Sequence, residues 1–533
     1  MGADLRSLAR GGTLNLVGVA AQAVATFAIT VTVTRGFSEQ VAGVFFIATS
    51  VFLLGVAIAS LGTQTGLVYF ISRFRTLGTP HLIGRALRVS LPAVAATAVV
   101  VSVAMVACTP ALTAMVVDGD PGHFASYLRG LALLLPFAAV SLALLAGTRG
   151  FRNMRPTVLV EYIGRPITQL AVIAGVVTAG ADALLGLAWA VPYLPAALLA
   201  ALWFAALRRR RAAPDAAAPE PPPAGESEST ARERPLAVEF WRYTAPRSVA
   251  HVAQLALQRL DILLVGVLAG AVPAAIYTAA TRFLVIGQFG GRALSQAVQP
   301  QLGEVLATDD WAGARALYQT ATAWLVLVTW PVYLLLAVFA PVALRVFGDG
   351  YASGASVVIV LTTAMLVAMI CGMVTMVLNM SGRTMWNLVN VLVALGVNIA
   401  LDLVLIPRIG ILGAAVGWGA AILVNNVLPL VQVRHTLGLH PFARGTLAAA
   451  ALATGCFGIL GLLAQLAFGG LIGLLVTLPV GAVLYAAGCW WLRGTLRLDT
   501  LQALLPRSKT SAATRSTPSR NGKAEHHDRA GRQ

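Results

Sequence analysis

Among the ionisable residues inside apolar runs long enough to cross a bilayer are Arg129, Arg165, Arg259, Arg282 and Arg292, with Glu161 and Asp261. A charge at the centre of such a run costs at least ~2.5–3.5 kcal/mol, so it persists where it pairs, lines a wet cavity or binds something. Glu161 and Arg165 are four apart on one helix face, which predicts a pair. Asp261 and Arg282 lie about nine residues before and after a tight turn, hence ~13 Å deep at 1.5 Å per residue, near the midplane. They are expected to pair facing the bundle interior, with Asp261 and Glu161 as coupling or gating groups. Arg259 lies only two residues from Asp261 and does not share its face. Arg129 and Arg292 lie nearer the two surfaces, where a long basic side chain can snorkel.

Three of the five arginines therefore have no evident carboxylate. Guanidinium forks in a water-filled cavity favour an anion, above all a diphosphate that accepts paired hydrogen bonds. Gln254, Gln258 and Gln288 add amides that suit a hydroxyl-rich cargo or ordered water. The candidate binding set is thus Arg282, Arg259, Arg292, Arg165, Arg129, Gln254, Gln258 and Gln288; the alternative is that the charges merely neutralise one another within the bundle. No G-x-x-x-x-G-K-[ST], H-E-x-x-H or G-x-S-x-G occurs, so neither a cofactor nor an enzymatic reaction is expected. Asp118-Gly119-Asp120 reads as an exposed turn. Cys108, Cys371, Cys456 and Cys489 read as small hydrophobes.

The elements that must position these residues follow from composition. Of 533 residues, 58% are hydrophobic and only 11% charged, with mean hydropathy +0.80. That is too little polar surface for a soluble protein. Windows of ~20 apolar residues give about fourteen spans, near 12–34, 41–66, 86–112, 123–147, 157–179, 183–206, 245–270, 273–297, 316–344, 354–380, 385–405, 410–433, 444–467 and 470–492. With the N-terminus inside, thirty Lys+Arg fall on the inner side and three on the outer. This bias places both termini in the cytoplasm and accounts for the net charge of +17 without nucleic acid. The basic residues of the tail are placed to meet anionic membrane lipids.

The Pro/Ala/Glu-rich stretch 208–239 reads as a flexible cytoplasmic linker. It divides an N-terminal six-helix lobe (1–207) from a second one (240–435), followed by two extra helices (436–496) and a basic disordered tail (497–533). A near-constant offset relates the halves: Ala42, Ala48, Thr49 and Gly55 match Ala274, Ala280, Thr281 and Gly287, and Arg152, Met154 and Gly186 match Arg383, Met385 and Gly417. Because six is even, the repeat is parallel, about an axis along the membrane normal. The expected fold is an all-α polytopic membrane protein. Gly266/Gly270, Gly413/Gly417 and Gly469/Gly473 are spaced for close helix contacts.

Thr34-Arg35-Gly36-Phe37-Ser38 before Ala42-Gly43-Val44-Phe45, Ile276-Tyr277-Thr278-Ala279-Ala280-Thr281-Arg282, and Leu405-Ile406-Pro407-Arg408-Ile409-Gly410-Ile411-Leu412-Gly413 carry a resemblance. Over roughly 10–435 the chain resembles the polysaccharide or lipid-linked oligosaccharide flippases (O-antigen-translocase-like) of the multidrug/oligosaccharidyl-lipid/polysaccharide exporter superfamily. Asp402 stands where that resemblance leads one to expect Asn. The resemblance implies a V-shaped cavity opening alternately to each side, in the cell membrane. The cargo it implies is an oligosaccharide on a polyprenyl diphosphate, with a polysaccharide polymerase or glycosyltransferases as partners. Sister readings are a lipid II flippase and a cation-coupled multidrug exporter; from another class, a membrane glycosyltransferase or polymerase.

Overall fold

The computed structural model describes residues 2–79, 81–116, 121–212 and 236–498, with the side chains of residues 2–14 and 210–212 and of Ile286, Phe289, Arg292, Ala293, Ala297 and Thr384 outside the described set. The Asp118-Gly119-Asp120 turn, the middle of the linker and the tail from 499 onward also lie outside it. A chain this apolar must satisfy its backbone polar groups internally, which in a bilayer leaves helices or closed barrels. Every described regular element is helical.

The first half comprises α1 (Gly2–Gly36), α2 (Glu39–Ala59), α3 (Thr63–Thr76), α4 (His81–Ala107), α5 (Thr109–Met115) and α6 (Pro121–Gly150). After a π-helical turn (Thr157–Gly164) come α7 (Arg165–Thr178), α8 (Leu185–Ala190) and α9 (Tyr193–Ala212). The second half begins with α10 (Leu236–Leu268), α11 (Ala271–Ala307), α12 (Trp311–Val338) and α13 (Ala340–Leu344). It continues with α14 (Ala355–Ile370), α15 (Val374–Met380), α16 (Thr384–Ile409) and α17 (Ile411–Leu437). The last pair is α18 (Arg444–Ala453), running through a π turn into α19 (Leu460–Phe468), and α20 (Gly470–Trp491).

Among the described residues thirteen helical stretches are long and apolar enough to cross a membrane, and the apolar start of α11, Ala271–Val285, adds a shorter one. The chain is a multi-pass membrane protein. The expected linker bounds need correction, because α9 runs on to Ala212 and α10 starts at Leu236. Alanine and arginine are strong helix formers, so the run after Leu207 continues its helix. On the other side Phe240 is fully buried in a cluster with Leu67, Phe70, Phe74 and Phe204. The first turns of α10 thus pack in the first half.

Depth in the bundle follows sequence. In the most apolar window of Glu39–Thr76, 72% of residues are buried, against 17% for Gly470–Trp491, so α2 is an inner helix and α20 faces lipid. At the end away from the linker the halves close on each other. Arg35 at the end of α1 donates from Nε to Val346 O (2.9 Å) and from Nη2 to Arg345 O. Phe27, Phe283 and Phe347 form a ring triad with centroids 5.3–5.6 Å apart. Gly43 lies against the Ala271 carbonyl so closely that any Cβ would overlap it. At the linker end the contact is narrower and more polar. Tyr69 stacks on Tyr243 (4.2 Å), Arg247 lies over Tyr243 (3.7 Å), and Arg73 pairs with Glu239.

Two charged clusters at the centre of the bundle

The π turn sets the first cluster. Its wider coil carries Glu161 and delivers Arg165 at the start of α7, a local irregularity often found at functional sites. Arg165 donates from Nη2 (2.7 Å) and Nε (3.1 Å) to Glu161 Oε1 and from Nη1 to Gln169 Oε1 (2.9 Å). Gln169 in turn donates to Trp189 O (2.8 Å), which fixes the set against α8. Both members of the pair are nearly buried, with side chains 10% and 11% exposed. The spacing of these two residues therefore predicts their contact correctly.

The Arg165 guanidinium lies over the Tyr193 ring (4.9 Å). Arg259 on α10 lies within electrostatic range of Tyr193, and Arg282 on α11 within electrostatic range of Arg259. Four residues from four helices thus form one cationic group across the two halves. Nε of Arg259 and Nε of Arg282 are buried and have no hydrogen-bond partner among the described residues. Two guanidinium groups without a carboxylate between them, each with an unused donor, have the chemistry to donate hydrogen bonds to an anion.

The second cluster is acidic. Asp261 Oδ2 accepts from the Tyr277 hydroxyl (2.8 Å), and the Asp402 carboxyl and Asn398 amide of α16 also meet Asp261. Asn398 Nδ2 donates to Asp402 Oδ2 (3.1 Å). Asp261 is 2% exposed and Asn398 and Asp402 are fully buried, yet Asp261 Oδ1, Asp402 Oδ1 and Asn398 Oδ1 have no donor among the described residues. Gly417 of α17 packs so tightly on the Asp402 side chain that a Cβ would overlap it. Three buried oxygens lacking donors, two of them acidic, suit a proton shared between carboxyls or a small cation.

The expected ion pair between Asp261 and Arg282 is absent among the described residues. Both lie on the helices that flank the turn at Gly270, but position along a helix does not set direction. Asp261 bonds Tyr277, and Arg282 is five residues further along α11, about 140° around it at 100° per residue. Asp261 consequently meets Asn398 and Asp402 of α16, and Arg282 is left within electrostatic range of Arg259. The other candidates scatter. Gln288 lines a cavity of about 600 Å3 with Gln296, Gln299 and Met369. Gln254, Gln258 and Arg129 are exposed, and Arg129 shares no contact with the cationic group among the described residues. Arg292 has its side chain outside the described set.

Sequence reasoning missed Tyr193, Tyr277, Asn398 and Asp402 as members. Asp402 was within reach: it is a carboxylate inside a span, one helical turn after Asn398. The tyrosines carried no such signal.

With this geometry in place, known proteins supply the comparison. Residues 246–404 match the MatE family. The inward closed conformation of the lipid II flippase MurJ aligns with TM-score 0.69 at 12% identity, covering 90% of this chain and 98% of that one. An inward-facing conformation of a multidrug resistance MATE family transporter of the MOP superfamily aligns at 0.62 with 13% identity, over 78% and 94%. The chain has the MATE/MurJ fold. A MOP superfamily transporter from Pyrococcus furiosus aligns at 0.52 with 14% identity, over 84% and 96%. No curated protein sequence matches the chain. The cationic group joins α7 and α9 of the first half to α10 and α11 of the second.

Proposed function

We propose that this protein is a transporter that moves a polyprenyl-diphosphate-linked oligosaccharide from the inner to the outer leaflet of the cell membrane by alternating access. The observation that carries the reading is the group of Arg165 and Tyr193 from one half facing Arg259 and Arg282 from the other. A diphosphate held there touches both halves at once. It gains different contacts in the two conformations, which any ligand-driven shift requires. Amide-bearing residues such as Gln288 near the linker end suit the sugar hydroxyls. Both termini and the linker lie in the cytoplasm on this reading, and enzymes that build or polymerise the glycan act before and after the flip.

The acidic cluster gives the transporter its coupling. Asp261 and Asp402 together in a dry site are costly as two carboxylates, and one proton or one monovalent cation relieves them. This feature alone also fits a cation-coupled drug exporter, but two unpaired buried arginines disfavour a cationic cargo. A lipid II cargo would offer the same diphosphate, so the glycan distinguishes that case. Deleting the gene tests the reading: lipid-linked glycan should accumulate on the cytoplasmic leaflet, and an unchanged leaflet distribution would refute it.

A further inference from the structure

A cavity of about 630 Å3 at the linker end belongs to neither central cluster. Arg73, Arg149, Thr65, Ser72, Tyr69 and Tyr243 face it, from α3, the last turn of α6 and the start of α10. No carboxylate lines it among the described residues. Its wall is built: Ser72 Oγ and Arg75 Nη1 both donate to Gly150 O (3.2 Å each), which ties α3 to the end of α6. Arg149 Nε is buried with no partner among the described residues. Arg73 is held from the side by Glu239 of α10, in a pair whose side chains are 41% and 45% exposed. An ion pair this open to water is weak and exchanges readily. Arg149 also lies within electrostatic range of Glu161, the partner of Arg165.

We propose that this cavity is a loading site for the phosphate-bearing headgroup of a lipid, held by Arg149 and by Arg73 once Glu239 releases it. From there the headgroup passes along Glu161–Arg165 to Arg259 and Arg282. The last step rests on the transport reading; the binding site does not. Arg73 then has two alternative anions, Glu239 in the empty state and phosphate in the loaded one. Because Glu239 is on α10 and Arg73 on α3, loading also releases a contact between these two helices.

The test uses the full chain carrying Arg259→Gln and Arg282→Gln, which removes the central anion site, in phosphatidylcholine nanodiscs, with farnesyl diphosphate as probe and native mass spectrometry as readout. One diphosphate should still bind. Arg149→Gln should weaken it at least tenfold, and Glu239→Gln should tighten it severalfold by freeing Arg73, a gain that misfolding cannot imitate. Adding Arg73→Gln should erase that gain. If the starting variant binds no probe while the unmodified protein does, or if Arg149→Gln and Glu239→Gln both leave binding within twofold, the loading site is wrong and the transport reading stands. Arg149-dependent binding by a protein that flips no cargo would leave the site intact and sink the transport reading. Repeating the titration with one third phosphatidylglycerol identifies the source. Lost probe binding means a bilayer lipid headgroup occupies the cavity, and retained binding means it selects a diphosphate; either result supports the site.

Discussion

The two central clusters sit on neighbouring helices and are built in opposite ways. The cationic one draws Arg165 and Tyr193 from the first half and Arg259 and Arg282 from the second. The acidic one, Asp261, Tyr277, Asn398 and Asp402, comes from α10, α11 and α16 alone, all in the second half. Relative motion of the halves must therefore rearrange the cationic group and can leave the acidic group intact. Contacts that change between states are what a cargo can use to shift a population; contacts that stay together bind an ion in either state. The difference supports the proposal that cargo binds at the interface and a coupling ion in the interior of one half.

The largest expected effect comes from stripping the interface of charge. Arg259→Gln with Arg282→Gln should lower cargo transport in proteoliposomes at least a hundredfold, since each lost charge-assisted bond is worth about 1.5–3 kcal/mol. Thermal stability should hold or rise, because two like charges leave a buried site. Adding Asp261→Asn to Arg282→Gln alone should restore nothing, and restored transport would mean that the two residues are partners after all. Next, Asp402→Asn should leave a folded protein whose transport is about tenfold slower and no longer responds to an imposed proton or sodium gradient; the tenfold figure corresponds to ~1.4 kcal/mol of lost coupling. An unaltered gradient response would move coupling away from the acidic cluster.

A third change tests whether closure away from the linker matters. Gly43→Val forces a side chain into the Ala271 carbonyl, where overpacking costs about 1–3 kcal/mol. Spin labels on the exposed Ala111 and Ser356, one in each half, should then show a longer distance as a major population rather than a trace. A distance distribution matching that of the unmodified protein would refute the clamp. The smallest effect is expected in the linker. Replacing residues 213–234 with Gly/Ser of equal length should keep transport within twofold, since loop entropy depends weakly on composition at constant length. A larger loss at normal membrane levels would give the linker a binding role.

Much of the fold was legible because bilayer thickness acts on sequence directly. The approximate number of spans and several of the close glycines follow from apolar length and small-residue spacing, while Gly469 faces open space. Gly266 packs on Ile47, Gly417 on Asp402 and Gly473 on Ala464. Site residues were legible only where interaction is local. Glu161 and Arg165 share one helix face, so spacing alone predicted their contact. Asp261 and Arg282 are on different helices, and their mutual rotation depends on what else packs there. Asn398, Asp402 and Tyr277 captured Asp261, and no spacing within the α10–α11 hairpin announces a third helix. The linker bounds failed for a related reason, since Phe240 is drawn into the first half by contacts with α3 and α9 that local composition does not encode.

The most direct measurement of the central assignment is an experimental structure with an oligosaccharide-bearing prenyl diphosphate bound. The account predicts phosphate density within hydrogen-bonding reach of Arg259 and Arg282, with Arg165 and Tyr193 closing the other side, and no phosphate near Asp261 and Asp402. Bound cargo whose phosphates touch neither Arg259 nor Arg282 would contradict it.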